Sequence, residues 1–478
     1  MTMGCSKNLV DTERLMARLE SLGYRCAHDP EVATGEIAVI NTCGFIGDAK
    51  EESINTILQF AERKTQGELK RLYVMGCLAE RYRKDLEAEI PEVDKWFGKF
   101  DYLNLIEELK TPPQPSPQRE GLQAGCQPRV LTTPRHYAYL KISEGCNRMC
   151  SYCAIPLITG RHTSVPMEEL IREAEWMAGQ GVKELNVIAQ DLSSYGLDFK
   201  GEGLKVNGEG LKVKGEGLKV NGDGLKVNGD GRHLLPELIN RLADIEGIGW
   251  IRLHYAYPTD FPYPILDVMR ERENVCRYLD IALQHATDSM LSKMRRHITR
   301  AEQDRLLDTI RTKVPGICLR TTLLVGHPGE TEADFRELCD WVEQQQFDRL
   351  GAFAYSEEDG TYAAKHYKDD IPEEIKQERV AEIMRIQQAI SARKMASQVG
   401  KVLRVLTDRR EGDYVIGRTE FDSPEVDCEV LITPPTPHGK ETPAGPLGKG
   451  EIRIGEFYDV KIERAEEFDL YGKLWSKK

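Results

Sequence analysis

The sequence predicts an α/β protein in three parts: an open α/β domain, a central series of alternating strands and helices, and a small C-terminal β-barrel. Apolar strand-like runs alternate with amphipathic helical patterns through most of the 478-residue chain. From about residue 389 the pattern changes to short strands separated by turns. At about 150 residues per domain, the length also allows three domains.

The first domain, residues 1–109, alternates helix and strand signals. Residues 37–42 and 72–75 have the composition of short buried strands. Residues 9–22 and 51–63 space their apolar side chains as amphipathic helices do. This alternation predicts an open α/β sheet, whose binding crevice lies at the carboxyl ends of the strands.

Three cysteines occupy equivalent positions in this domain. Cys5 precedes the first helix, and Cys43 and Cys77 each follow a strand. Each lies beside a glycine, which permits close approach of the backbone to a bulky group. Three buried free cysteines are one interpretation, and structural zinc is another, although no fourth ligand is evident nearby. Equal placement at strand ends favours a third, an iron–sulfur cluster with one open iron.

A second set of cysteines is closely spaced. A strand-like run at 137–142 leads into Cys146, Cys150 and Cys153, a Cys-x3-Cys-x2-Cys motif with Tyr152 directly before the third cysteine. One such loop can hold three irons of a four-iron cluster and leave the fourth free for a chelating cofactor. Zinc again lacks its fourth ligand. At this point the chain resembles the radical S-adenosylmethionine (SAM) superfamily, whose signature this spacing is.

Downstream, strand-like runs continue to alternate with helical patterns, and the resemblance implies a partial (β/α)6 barrel over residues 132–386. Polar residues at or just after these strands occupy the positions where α/β-barrel enzymes have their active sites. For each of them, the alternative is an ordinary buried hydrogen bond or turn. The strand-like runs are residues 185–189, 251–255, 279–283, 319–325 and 350–355. The polar residues are Gln190, Asp191, His254, Gln284, His285, Arg320 and the turn at 326–330.

The resemblance assigns SAM contacts to some of these residues. It implies that Tyr152 contacts the adenine and that Gln190 approaches the methionine end. It also implies that Arg320, with the turn at Gly326, approaches the ribose or the carboxylate. We expect Gln284 to contribute to the same site.

The third unit, residues 389–473, has small-barrel composition, with strand-like runs at 402–406, 414–418 and 457–462. It resembles the TRAM domain, an OB-like β-barrel usually associated with RNA. Residues 401–478 carry 13 Lys and Arg against 16 Asp and Glu, with the acids concentrated at 420–429. Charge runs are usually solvated faces. We expect this one to repel a polyanion and to attract a basic protein.

Three segments do not fit a folded core. Residues 110–131 read as a Pro- and Gln-rich linker, and residues 433–450 as a Pro- and Gly-rich insertion. Residues 201–231 hold four tandem copies of a seven-residue unit, and two glycines per unit argue against a coiled coil. We expect a solvated insertion there, with a partner-binding repeat as the alternative. These segments carry +3 of the net charge of −13, so the remaining 407 residues carry −16.

Composition excludes several classes of protein. The acidic balance argues against a surface built to bind phosphate, so direct nucleic-acid binding is not expected to dominate. Twelve cysteines are too few for a disulfide scaffold of this length. No apolar run of eighteen residues and no secretory stretch at the N-terminus occur, so we expect a cytoplasmic protein that does not span a membrane.

The order of the three units is that of the methylthiotransferases, and the chain is identified as a member of that family. Residues 4–11, 188–192 and 418–427 look like the branch that modifies an aspartate of the twelfth small-subunit ribosomal protein. The resemblance implies two four-iron clusters, one on each set of three cysteines. The second set would bind SAM and generate a radical that abstracts hydrogen from the aspartate β-carbon. The first would supply sulfur, and a second SAM the methyl group.

Two other functions remain open at this stage. One is methylthiolation of tRNA adenosine, and the other is a non-catalytic iron–sulfur module that binds ribosomes. The partners implied by the resemblance are a basic ribosomal protein, free or on the ribosome, and an electron donor such as flavodoxin or ferredoxin.

The N-terminus departs from the family pattern. Only three residues precede Gly4, where the family has a full strand. A missing strand would leave the sheet edge unpaired and Cys5 poorly held. We therefore expect a misassigned start.

Overall fold

A computed structural model describes most of the chain; the described residues are 1–30, 35–110, 129–199, 233–434 and 452–475. The seven-residue repeat lies outside them. The predicted linker and the Pro- and Gly-rich insertion also lie outside them, except at their ends.

The described elements follow the predicted order, with α/β alternation giving way to strands near the C-terminus. The helices are α1 (Ser6–Ser21), α2 (Gly47–Thr65), α3 (Cys77–Glu89), α4 (Tyr102–Leu109), α5 (Ile155–Thr159), α6 (Met167–Gly179), α7 (Leu235–Ala243), α8 (Ile265–Glu271), α9 (Asp288–Lys293), α10 (Arg300–Lys313), α11 (Glu332–Gln345), α12 (Tyr362–His366) and α13 (Glu373–Ala396), with a 3-10 turn at Leu192–Ser194. The strands are β1 (Ile37–Thr42), β2 (Arg71–Gly76), β3 (Lys95–Trp96), β4 (Tyr137–Lys141), β5 (Ser143–Glu144), β6 (Thr163–Ser164), β7 (Glu184–Ile188), β8 (Trp250–Ala256), β9 (Val275–Ile281), β10 (Cys318–Val325), β11 (Arg349–Ala354), β12 (Val402–Glu411), β13 (Tyr414–Thr419), β14 (Glu429–Thr433), β15 (Phe457–Ala465) and β16 (Asp469–Leu474).

The N-terminal sheet is parallel, in the order β1-β2-β3. Its apolar strand residues, such as Ile40 and Val74, are fully buried against the helices. The first three residues run beside β1: Met3 N donates to the carbonyl of Asn41 at 2.8 Å, and Asn41 N donates to the carbonyl of Met1 at 2.9 Å. These bonds cover part of the β1 edge and fix the chain directly before Cys5.

The central strands form a six-stranded parallel sheet in the order β4-β7-β8-β9-β10-β11, which confirms the predicted α/β barrel. The core between this sheet and its helices contains Leu253, Leu319 and Trp341, none of them exposed. Strand β9 ends two residues earlier than the predicted run 279–283. The chain turns there because Gln284 adopts a φ of 71°, which a regular strand does not allow.

The C-terminal strands close into a barrel in the order β12-β13-β14-β16-β15, which confirms the predicted small β-barrel. Strands β14 and β16 were not among the predicted runs. Helix α13 packs against β11 and reaches residue 396, so the predicted boundary at 386–389 lies inside a helix. Among the helices that the structure describes, none is long and apolar enough to cross a membrane.

The acidic run at 420–429 is only partly the solvated face that was predicted, because two of its five acids are buried and Glu425 is exposed. Asp422 is 2% exposed and pairs with the guanidinium of Arg349. Asp427 accepts a hydrogen bond from the hydroxyl of Tyr278 at 2.8 Å and lies 3.4 Å from Arg320 Nε. These partners come from β9, β10 and β11, so the run packs beneath the central sheet. The carboxylates of Asp422 and Asp427 are neutralised there, so these two do not contribute to a surface that would attract a basic protein.

Candidate active site between the two cysteine triads

The Cys-x3-Cys-x2-Cys motif lies on the loop between β5 and α5, just beyond the carboxyl end of β4. We call Cys146, Cys150 and Cys153 the loop triad. The loop folds back on itself at Gly145, which has a φ of 81°. A Cβ at this position would lie 2.2 Å from the carbonyl oxygen of Arg161, so only glycine fits.

A buried arginine contacts this triad. Arg296 is 2% exposed, and its Nη1 donates to Cys150 Sγ at 3.3 Å and to the hydroxyl of Tyr152 at 3.4 Å. The hydroxyl of Tyr257 lies 3.5 Å from the same sulfur. Burial raises the pKa of the Cys146 thiol to about 12, so this thiol would stay protonated without a metal partner. The backbone N–H and the guanidinium of Arg148 oppose that shift because both favour a thiolate.

Tyr152 and Gln190, predicted as SAM contacts, lie at this end of the barrel. The ring of Tyr152 meets that of His327 edge-on, with centroids 6.4 Å apart. His327 belongs to the predicted turn at 326–330, and its Nε2 lies 3.0 Å from Ser151 Oγ of the loop. The amide of Gln190 donates to Glu144, two residues before the loop triad. The structure therefore brings the turn, Tyr152 and Gln190 to the cysteine loop.

The other predicted contacts are placed differently. Gly326 has a φ of 74°, and a Cβ there would meet the side chain of Lys376 at 2.5 Å. Gln284 bonds through its backbone to β10, where its N donates to the carbonyl of Thr322 at 2.9 Å. Arg320 lies deeper in the barrel, paired with Asp280 at 3.3 Å and with the acidic run below. Its guanidinium is thus engaged by protein carboxylates.

The remaining polar residues predicted after the strands make buried hydrogen bonds. Asp191 holds the cysteine loop itself, because it accepts from Arg148, which lies between two of the triad cysteines. The pairs are Arg148 Nε–Asp191 Oδ2 at 2.7 Å, His254 Nε2–Asn186 Oδ1 at 3.1 Å and His285 Nε2–Glu330 Oε1 at 3.0 Å.

Cys5, Cys43 and Cys77, the N-terminal triad, lie at the carboxyl edge of the N-terminal sheet. A Cβ at Gly4 would lie 2.8 Å from Cys43 Sγ, so the chain passes directly against that sulfur. The Cys77 thiol lies 3.6 Å from Asn8 Oδ1. Burial raises the pKa of Cys77 to about 12, and the neighbouring thiols of the triad add to this shift.

Each triad offers three free thiols, the donor set of an iron–sulfur cluster with one open iron. The cysteines that the structure describes are free of disulfides. Within the described ranges, no three Cys, His, Asp or Glu side chains converge closely enough to hold one metal ion. Structural zinc takes four protein ligands, whereas three cysteines per set match a four-iron cluster with one open iron.

The two triads face each other across one domain interface. Cys77 packs against Ala154 and Ile158, which directly follow the loop triad. At the rim of the interface, Arg81 Nη1 lies 2.6 Å from Glu358 of the central domain, and both side chains are buried. The carboxyl ends of both sheets therefore open toward a shared site.

A buried network of alternating charges lies between the triads. Lys99 Nζ is 3.4 Å from Asp11 and 3.7 Å from Glu144, and Lys141 contacts the same two carboxylates. Burial alone would lower the pKa of Lys99, but Asp11 and the Cys77 thiol raise it above the usual lysine range. The sequence interpretation missed this network and Arg296, because nothing local marks residues that meet only through the fold.

Comparison with known proteins identifies the three units. Residues 1–98 match the family described as "Uncharacterized protein family UPF0004", residues 140–342 the radical SAM superfamily, and residues 399–474 the TRAM domain. Among solved structures, the chain resembles a radical SAM methyltransferase, TsrM, from Kitasatospora setae, with a TM-score of 0.45 and 14% identity over 72% of this chain and 65% of that one.

Curated relatives match over the full length. A protein of Bacteroides thetaiotaomicron named "Ribosomal protein uS12 methylthiotransferase RimO" is 53% identical over 100% of this chain and 98% of its own length. The protein of the same name from Porphyromonas gingivalis is 52% identical over 99% and 98%. The chain belongs to the radical SAM methylthiotransferases, in the family that carries the name of ribosomal protein uS12.

Proposed function

We propose that this chain attaches a methylthio group to the β-carbon of an aspartate in ribosomal protein uS12, with SAM and two four-iron clusters as cofactors. Full-length similarity to uS12 methylthiotransferases supports the substrate. The observation that carries the reaction is the shared interface, where two cysteine triads face each other across a buried, charged layer.

The loop triad would hold the cluster that binds SAM, and the N-terminal triad would hold the second cluster. When bound, these groups supply the electron, the 5′-deoxyadenosyl radical, the sulfur and the methyl group. The chain's own residues would bind and orient them. Arg296 would hold positive charge beside the thiolate of Cys150, and Tyr152 would line the SAM site.

The charged network would keep the space between the triads ordered and shielded. Lys99 and Lys141 are buried and each neutralises Asp11 and Glu144, which are about one-fifth exposed, so the charges of this layer are balanced within the protein. Exclusion of water is what a radical intermediate requires, because stray reactions would quench it. Gln190, bonded to Glu144, would connect this network to the methionine end of SAM.

The substrate and its setting imply further partners. A ribosomal protein substrate supports a cytoplasmic location, and reduction of the SAM-binding cluster calls for an electron donor such as flavodoxin or ferredoxin. Methylthiolation of tRNA, the alternative from the sequence, is not favoured by relatives named for uS12.

The test uses anaerobically reconstituted enzyme with SAM, a reductant and purified uS12. We expect mass spectrometry to find one methylthio group on an aspartate of uS12, and none with the Cys146→Ala enzyme. Bulk tRNA in a parallel reaction is expected to remain unmodified. Modification of tRNA adenosine with unmodified uS12 would contradict the proposal.

A further inference from the structure

Lys7 is a buried lysine that lies beside the N-terminal triad. It is in the first turn of α1, two residues after Cys5, and only 8% of it is exposed. Its Nζ lies 3.1 Å from the centroid of the Tyr255 ring. Within the described part of the chain, no carboxylate comes within ion-pair distance of this ammonium.

Burial of a charge without an anionic partner is costly, and a cation–π contact offsets only part of that cost. Acidic groups of this region already have partners; Asp280, which accepts from the backbone of Tyr255, pairs with Arg320. Asp11 and Glu144 are each shared by Lys99 and Lys141. The carboxylates that the structure describes therefore leave the Lys7 ammonium without an ion-pair partner, and it points toward the region where the N-terminal triad would hold its cluster and receive the substrate.

Tyr255, the contact of Lys7, is itself held in an unusual conformation. Its φ of 65° is rare for an aromatic residue and indicates backbone strain. The pairing of β8 with β9 shifts register between Leu253 and Ala256, as a β-bulge does. Bulges near active sites re-aim side chains, and strain at such a position is a sign of function. Although Tyr255 lies in a strand, it remains 37% exposed.

The Lys7–Tyr255 pair joins the N-terminal triad to the carboxyl end of β8. A substrate side chain that receives sulfur from one side and loses hydrogen to the other must enter this region. We propose that Lys7, steadied by the Tyr255 ring, binds the carboxylate of the target aspartate. This proposal rests on the proposed function and names the group that recognises its substrate.

An ion pair with Lys7 would make the enzyme select an aspartate over an asparagine at the target position. The aspartate carboxylate would form the missing ion pair, whereas an asparagine at the same position would leave the ammonium buried and unpaired. A charge-assisted hydrogen bond contributes about 1.5–3 kcal/mol. We therefore expect the enzyme to bind uS12 about 10- to 150-fold more tightly than a uS12 variant with the target Asp→Asn.

The test measures the affinity of the holoenzyme, with both clusters and SAM but no reductant, for these two forms of uS12. Lys7→Met keeps the apolar stem and removes the charge, and it should bind both forms within about threefold of each other. Lys7→Arg should retain most of the preference for aspartate. Lys70→Met is the matched control, because Lys70 is 72% exposed and pairs with an exposed glutamate. It should behave as wild type.

Several results would overturn the proposal. Equal affinity of the wild-type enzyme for both forms of uS12 would do so without any enzyme variant. An undiminished preference of Lys7→Met for the aspartate form of uS12, measured on enzyme with full iron content, would also overturn it. So would a Lys7→Met enzyme that loses affinity for SAM and keeps its affinity for uS12, because Lys7 would then bind the carboxylate of SAM. If the wild-type enzyme does not modify uS12 at all, the proposed function itself fails.

Discussion

Glu184 provides a sharp test of how the C-terminal barrel is joined to the central domain. It is the first residue of β7 and lies between Arg252 of β8 and Arg418 of β13. Its Oε1 is 2.9 Å from Arg252 Nε, and its Oε2 is 2.9 Å from Arg418 Nη2. All three side chains are at most 3% exposed. Glu184→Gln would leave the buried guanidinium of Arg252 without its carboxylate and that of Arg418 with Asp408 alone.

Loss of one member of a buried ion pair costs about 3–5 kcal/mol. For units of this size, each kcal/mol shifts the unfolding midpoint by about 2–4 °C, so we expect a decrease of about 6–20 °C in differential scanning calorimetry. Glu168→Gln is the matched control, because the Glu168–Arg241 pair is largely exposed and an exposed pair contributes at most about 1 kcal/mol.

The effect should also depend on pH. Burial would raise the pKa of Glu184, but Arg418 and Arg252 hold it below the ordinary value of 4.5. A carboxyl group whose pKa is lowered by folding stabilises the protein fully at pH values above its ordinary pKa. This stabilisation is lost as the pH falls through the folded-state pKa. The difference in unfolding midpoint between wild type and Glu184→Gln should therefore be largest near neutral pH and should decrease in acid. Equal midpoints at neutral pH would refute this account of the junction.

Three further predictions concern the clusters. Substitution of all three loop-triad cysteines by alanine should leave one four-iron cluster and abolish formation of 5′-deoxyadenosine. Loss of all iron would contradict the view that each triad holds its cluster independently of the other. Arg296→Met should lower the reduction potential of the SAM-binding cluster by about 100 mV in an EPR-monitored titration, because a positive charge beside Cys150 is lost. An unchanged potential would show that the guanidinium does not act on the cluster. Gly145→Ala should lose the SAM-binding cluster alone, because its Cβ would lie 2.2 Å from the carbonyl oxygen of Arg161. Gly181→Ala is the control: Gly181 has a φ of 96° with open space around it, so this variant should retain both clusters. Equal iron content in the two glycine variants would contradict this explanation.

Local sequence signals were sufficient for much of the fold. The run 37–42 coincides with β1, and the run 319–325 falls within β10, because buried parallel strands are continuous apolar stretches. The cysteine positions were equally visible, since each triad follows from residue type and strand ends. Strand β14 escaped notice because it has only three apolar residues between polar ends, and strand β16 because a glycine and a lysine interrupt it.

Contacts between distant segments were not visible in the sequence. The acidic run was expected to be solvated, as most charge runs are. Its neutralising partners Arg320 and Arg349 lie more than seventy positions earlier in the chain, on two different strands. The same holds for Arg296, which reaches Cys150 across 146 positions. Such pairings follow from the assembled barrel and carry no local pattern.

The most direct test of the central claim compares uS12 from a strain that lacks this gene with uS12 from the same strain carrying the wild-type gene or the Cys5→Ala gene. We predict that intact-mass and peptide spectra of uS12 will show one methylthio group on an aspartate only when the wild-type gene is present. Methylthiolated uS12 in the deletion strain, or in the strain with the Cys5→Ala gene, would contradict the assignment of the reaction to the two facing triads.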